Sequence, residues 1–221
     1  MASDDEIVLS YKDCLLRKSD IALLKPGEWL NDAIISFWFE YLICEMYPSA
    51  ADYVTLVGPE VCHLLKLTTE AEFPGLLQSI EPKRFVFFAL NNQTDPGSVG
   101  GSHWSLLVFD SMSAEEPIIH LDSSRGCNRN SAQIFAQRLD RELAEPTVPQ
   151  QENTSDCALY VCLFSETLCR YIGKALQVPG NEVSLIPLPA QIALVTSEQA
   201  REKRRELEDL IKTVAEMQKP H

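Results

Sequence analysis

The stretch Gln151-Glu152-Asn153-Thr154-Ser155-Asp156-Cys157-Ala158-Leu159-Tyr160-Val161-Cys162-Leu163-Phe164 sets a polar, turn-forming run directly against an apolar one. Asn153, Thr154, Ser155 and Asp156 are all competent helix N-caps, so a helix is expected to begin within a residue or two of Cys157. The free N–H groups and partial positive charge at such a helix start favour a thiolate. Cys157 is therefore a candidate nucleophile. A small buried hydrophobe is the competing reading, since free cysteine is commonly buried. The stretch alone does not choose between them.

The rest of the chain narrows the choice of chemistry. With 221 residues, 45% of them hydrophobic, residues 1–221 are expected to form one globular domain, ending in a charged helix from about residue 197. A formal charge of -13 argues against a nucleic-acid surface, which needs clustered Lys and Arg, and suits a basic protein partner. The seven cysteines (14, 44, 62, 127, 157, 162 and 169) are scattered, and several fall in apolar helical patterns. They read as free thiols in a reducing compartment, the cytoplasm or nucleus. No apolar run approaches the roughly 20 residues of a membrane span, and the first residues are acidic, so no membrane association is expected.

Working outward, Ile7 to Tyr11 is a short strand, and residues 15–24 lack periodicity and read as loop. Asn31 or Asp32 caps a helix carrying Ile34, Ile35, Phe37, Trp38, Phe39, Tyr41, Leu42 and Ile43, apolar around its circumference and therefore buried, with Pro48 beyond its end. Val54 to Val57 is a weak strand, and short helices follow near 60–66 and 70–80. Arg84 to Leu90 is apolar on both faces and reads as a central strand. The turn formers of 91–102 form a surface loop, a candidate substrate gate just ahead of a histidine. Strands are expected at 103–110 and 117–122, a helix at 130–145, and a strand at Thr147 and Val148. After the Cys157 helix, a proline-punctuated connection leads to a capped helix from Ser197, whose charge run reads as a solvated face.

A thiol nucleophile needs a base and a group to orient it. Of four histidines, His221 is terminal and His63 sits in a short helix where a structural or surface role is expected. If the turn after Asp110 pairs Asp110 with Glu115, His103 falls directly opposite Asp122, and opposed residues share a face. Asp110 fails that test: seven residues along the strand, it lies roughly 23 Å from His103 and on the other face. His120 is expected to be packed or at the rim. Cys157, His103 and Asp122 thus form a candidate triad, dependent on register. No cysteine pairing suits a metal site, and no glycine motif precedes a helix to cradle phosphate, so neither metal nor cofactor is expected.

Three segments, Gly100-Gly101-Ser102-His103-Trp104-Ser105-Leu106-Leu107-Val108, Leu121-Asp122-Ser123 and Gln151 to Cys157, together resemble the sentrin/SUMO-specific cysteine protease family in residue type and order. With Trp29-Leu30-Asn31-Asp32-Ala33-Ile34-Ile35 they look most like its deneddylase member. The resemblance runs from about Val8 to about Lys212. It implies an α+β, papain-like fold with a central, mostly antiparallel sheet flanked by helices. It implies catalysis by Cys157, His103 and Asp122, with Gln151 donating to the oxyanion, although Gln150 is an equal candidate on the residues alone. It also implies a substrate channel at Trp29, Trp104, Asn91 and Gly101. Only residues without side chains pass between two indoles, so the implied substrate is a ubiquitin-like modifier ending in Gly-Gly. The neddylation modifier and its cullin-type conjugates come first and SUMO second, handled by a monomeric enzyme. Ala158 departs from the family's glycine, and its methyl is expected to crowd the oxyanion site. A noncatalytic modifier-binding module is the reading of another class. Acyl transfer from a thioester donor lacks a basic cluster to hold it.

Overall fold

The computed structural model describes residues 5–93, 101–178 and 183–218. Two seven-residue strands, β4 (Phe85–Asn91) and β5 (Trp104–Asp110), pair antiparallel along their whole length at its centre. Both are buried on both faces, as the unbroken apolar run of β4 requires. The sheet runs β3 (Val54–Val57), β4, β5, β6 (Ile118–Leu121), β7 (Leu143–Ala144). Its two inner pairings are antiparallel and its two outer ones parallel. Alternate residues feed two cores: Phe85, Phe87, Ala89, Leu106 and Val108 on one face, Val86, Phe88, Leu90, Leu107 and Phe109 on the other.

The first face is covered by α2 (Asp32–Tyr41) and α6 (Cys157–Leu176). Asn31 caps α2 by accepting from the Ile34 N–H, and the Trp38 indole N–H donates to the Cys162 carbonyl, tying the two helices together. The second face is covered by α3 (Pro59–Leu67), α4 (Phe73–Ser79) and α5 (Arg129–Arg138). Outside α6 lies α7 (Ser197–Met217), its capping box formed by Thr196 and Gln199.

Three expectations are corrected. Residues 15–24, read as loop, contain β2 (Cys14–Arg17), which forms a bulged hairpin with β1 (Ile7–Tyr11), and a one-turn helix, α1 (Lys18–Ala22). Side chains rather than periodicity hold α1: Asp20 accepts from the Arg17 N–H and from the Asn31 side-chain amide. The helix expected to reach residue 145 stops at Arg138, because Asp140 takes a left-handed conformation (φ 52). The N–H groups of Asp140 and Arg141 then close back on Gln137 and Ala136 in a Schellman motif. The chain released there forms β7 at Leu143–Ala144, so Thr147 and Val148 are not a strand. The gate expected over 91–102 has residues 94–100 outside the described residues. The flanks of that loop are zipped, Asn92 exchanging hydrogen bonds of 2.8 Å with Ser102.

Candidate active site

Cys157 is the first residue of α6, buried to 3% exposure at the wall of a cavity of about 670 Å³. Asp156 occupies the N-cap position but does not cap: one carboxylate oxygen is turned to Arg204 and the other to the Asn153 amide. The first N–H groups of the helix therefore keep no side-chain acceptor of their own.

His103 Nε2 lies 2.6 Å from Asp122 Oδ1. The hairpin reaches this contact by another register than direct opposition: Leu106 opposes Leu121 and Leu107 opposes His120. One step further, Asp122 faces Ser105, two residues from His103. A two-residue slip preserves the face, and diagonal neighbours remain within reach of a long side chain. The pairing expected from sequence thus holds in its residues while the register behind it is corrected.

Burial opposes ionisation of Asp122, yet the bonds from His103 and from the Ser124 N–H more than offset it, and its pKa falls. Burial likewise favours a neutral His103, but hydrogen bonds to Asp122 and to the Cys157 thiol reverse this and raise its pKa to about 9. The imidazole is protonated at neutral pH between two potential anions.

The layer behind carries residues with no sequence motif. Asn128 donates its backbone N–H to Asp122 Oδ2 and its side-chain amide to the His103 carbonyl, so it fixes both partners at once. The same amide reaches Ser105, whose hydroxyl meets His120 Nε2, and His120 Nδ1 faces Glu145. His120 is buried in this network, and burial lowers its pKa.

Two glutamines were equal candidates as oxyanion donors. Gln150 is fully engaged, its amide donating to the Asp122 and Val148 carbonyls and its oxygen accepting from the Arg125 N–H. Gln151 has its oxygen held by the Ser123 hydroxyl and its amide directed to the Asn153 carbonyl at 2.6 Å, which leaves one N–H in hand. Ala158 is fully buried in the core between α6 and the sheet and does not line the cavity.

Trp29, Trp104, Asn91 and Gly101 line the same cavity as Cys157. Trp29 is 46% exposed, and Trp104 is fixed by its indole N–H on the Leu30 carbonyl. His63, expected to be structural or on the surface, also lines the cavity, and burial with the nearby Lys66 charge lowers its pKa. All seven cysteines are free. Burial pushes Cys14, Cys62 and Cys162 up to about 12 and also raises Cys44 and Cys169. Among the described residues no cluster could hold a metal ion, and no helix is long and apolar enough to cross a membrane.

A thiol, an imidazole and a carboxylate brought together beside an open cavity are the equipment of a cysteine peptidase. Residues 28–178 match the Ulp1 protease family, C-terminal catalytic domain, and the chain belongs to that family. It is 34% identical to human sentrin-specific protease 8 over 96% of this chain and 99% of that protein. It is 29% identical to NEDD8-specific protease 1 of Arabidopsis thaliana, over 78% of this chain and 79% of that one. The fold is shared with the yeast Ulp1 protease domain solved with Smt3, at a TM-score of 0.64 and 18% identity, covering 97% of this chain and 90% of that one.

Proposed function

We propose that this protein is a thiol isopeptidase that cleaves after the C-terminal Gly-Gly of the neddylation modifier, both to mature its precursor and to release it from lysines. The observation that carries the reading is the buried contact of His103 with Asp122 beside Cys157, on a cavity walled by Trp29 and Trp104. The modifier assignment rests on the names of the relatives.

In this mechanism Cys157 Sγ attacks the carbonyl carbon of the terminal glycine, forming a C–S bond. The carbonyl oxygen takes up the charge and receives hydrogen bonds from the Cys157 N–H and the Gln151 amide, donors of the kind worth about 3 kcal/mol each. His103 gives its proton to the departing lysine amine, the C–N bond breaks, and a thioester remains. Water, deprotonated by His103, then attacks the thioester, and the C–S bond breaks to return the thiolate. Asp122 holds the imidazole throughout. Trp29, Trp104, Asn91 and Gly101 bind the extended tail. Cullin-type conjugates as substrates, action as a monomer, and a cytoplasmic or nuclear location belong to the same proposal, the last supported by seven free thiols.

The test is incubation of the purified protein with an isopeptide-linked conjugate of the modifier and with the modifier activated at its C-terminus by an electrophile, beside Cys157→Ala. Cleavage and an adduct on Cys157 are expected. Binding with neither would leave a noncatalytic module, and a marked preference for SUMO in parallel assays would overturn the modifier assignment.

A further inference from the structure

The helix α7 lies beyond residues 28–178, and its charge run was expected to face solvent. Two of its cations are instead buried. Lys203 sits over the Trp38 ring at 4.3 Å and pairs with Glu166 of α6, while Arg204 is 4% exposed. Arg204 continues the apolar stripe of Ala200, Leu207 and Ile211, so packing places it against the molecule rather than away from it.

What Arg204 touches is unusual for a packing residue. Its Nη2 donates to Asp156 Oδ1 at 3.0 Å and to the Ser155 carbonyl at 3.3 Å, the two residues directly ahead of Cys157. Its Nη1 donates to the carbonyls of Leu23 at 2.9 Å and Lys25 at 3.1 Å. The Lys25 carbonyl also receives the Glu28 N–H, closing the turn that delivers Trp29, with Gly27 left-handed at φ 88. One guanidinium therefore holds the base of the loop bearing Cys157 and the base of the turn bearing Trp29. Both of these segments line the cavity, and through this one side chain α7 is tied to both. A planar fork with donors on two sides can make this brace, whereas a single ammonium cannot span both.

We infer that Arg204 is a positioning residue for the reaction proposed above: it sets the spacing between the Cys157 thiol and the Trp29 wall of the channel. The inference rests on the isopeptidase reading for its substrate but not for its geometry. Asp156 transmits one arm of the brace only. Asp156→Asn is expected to lower kcat with little change in KM for a modifier carrying a C-terminal fluorogenic amide. Arg204→Ala cuts both arms and is expected to lower kcat and raise KM together.

The experiment compares wild type, Asp156→Asn, Arg204→Lys and Arg204→Ala at a temperature where thermal melts show each to be folded. Arg204→Lys keeps the charge and guards against a failure of the alanine variant to fold. For Arg204→Lys we expect a loss in kcat/KM of about 10- to 100-fold, the order that a displacement of ~1 Å costs. Partial recovery of Arg204→Ala by millimolar guanidinium chloride, far below denaturing concentration, is expected as well. A fold that is merely weakened would show no such rescue. Folded Arg204→Lys with the kcat and KM of wild type would overturn the inference, as would losses that track the unfolded fraction without rescue. If wild type cleaves no modifier, the isopeptidase reading fails by itself. The brace is then judged by iodoacetamide alkylation of Cys157, read by peptide mass: a changed rate in both Arg204 variants supports it, and equal rates across the set refute it.

Discussion

A β-carbon on residue 101 would stand 2.5 Å from Cγ of Asn91, so the Asn91 amide occupies the space that Gly101 leaves open. The Asn91 oxygen is held there by the Gln93 N–H at 2.7 Å, and both residues line the cavity. Gly101→Ala must expel the Asn91 side chain into the cavity. A loss in kcat/KM of about 10- to 100-fold is expected, the order that misplacement by ~1 Å costs. Steady-state kinetics with the modifier amide checks it. An unchanged kcat/KM would mean that Asn91 can move at no cost.

The His103 pair makes activity sensitive to alkali. With its pKa raised to about 9, His103 keeps its proton at neutral pH and loses it as pH rises through that value. The alkaline limb of kcat/KM is expected near there. In Asp122→Asn the strongest support of the charged ring is gone, and the limb is expected to move to lower pH along with a large fall in rate.

The same shifts predict a stability profile. The contribution of His103 is complete below its unfolded value of 6.5 and is lost as pH rises through about 9. That of Asp122 is complete above 3.8 and is lost as pH falls through its depressed folded value. The difference in melting temperature between wild type and Asp122→Asn should be widest between about 4 and 6.5, and should narrow on both sides. A difference independent of pH would show that the pair contributes nothing by ionisation.

Adjacent glutamines should separate stability from rate. Gln150→Ala strips three hydrogen bonds around Asp122 and is expected to cost about 1 to 3 kcal/mol of stability. Gln151→Ala is expected to melt near wild type while kcat falls about 100- to 1000-fold. Chemical denaturation and initial rates on the two variants distinguish them, and the opposite pattern would assign the oxyanion donor to Gln150.

Ala158→Gly restores the residue usual in the family but removes a methyl from a fully buried core site. It is expected to destabilise by about 1 kcal/mol without raising activity. A clear gain in kcat would mean that the methyl does obstruct the oxyanion.

What could be read from the sequence follows physical lines. The signal of unbroken apolar runs and capping residues found β4, β5, α2 and α6, because long buried elements carry many apolar residues in a row. It missed β2, four residues paired with the bulged β1, and α1, five residues started by the Asp20 carboxylate accepting the Arg17 backbone N–H. It overran α5, because the stop is a left-handed Asp140 rather than a glycine. At the site, face parity brought His103 to Asp122 even with the register two residues out. Asn128 and Arg204 left no motif, since each acts through backbone groups far away in the chain. For Arg204 a signal did exist, its place in the stripe of Ala200, Leu207 and Ile211, although charge argued against using it.

The partition of the thiols has a practical consequence for covalent chemistry. Five cysteines are held protonated by burial, and a soft electrophile has little to gain from them. Cys127 is exposed on a turn outside the cavity, so a probe shaped to the cavity distinguishes it from Cys157. A warhead carried on a tail slim enough to thread past Trp29 should count working sites one for one, which makes the molecule its own active-site titrant and a tractable target for inhibitors that bond to sulfur.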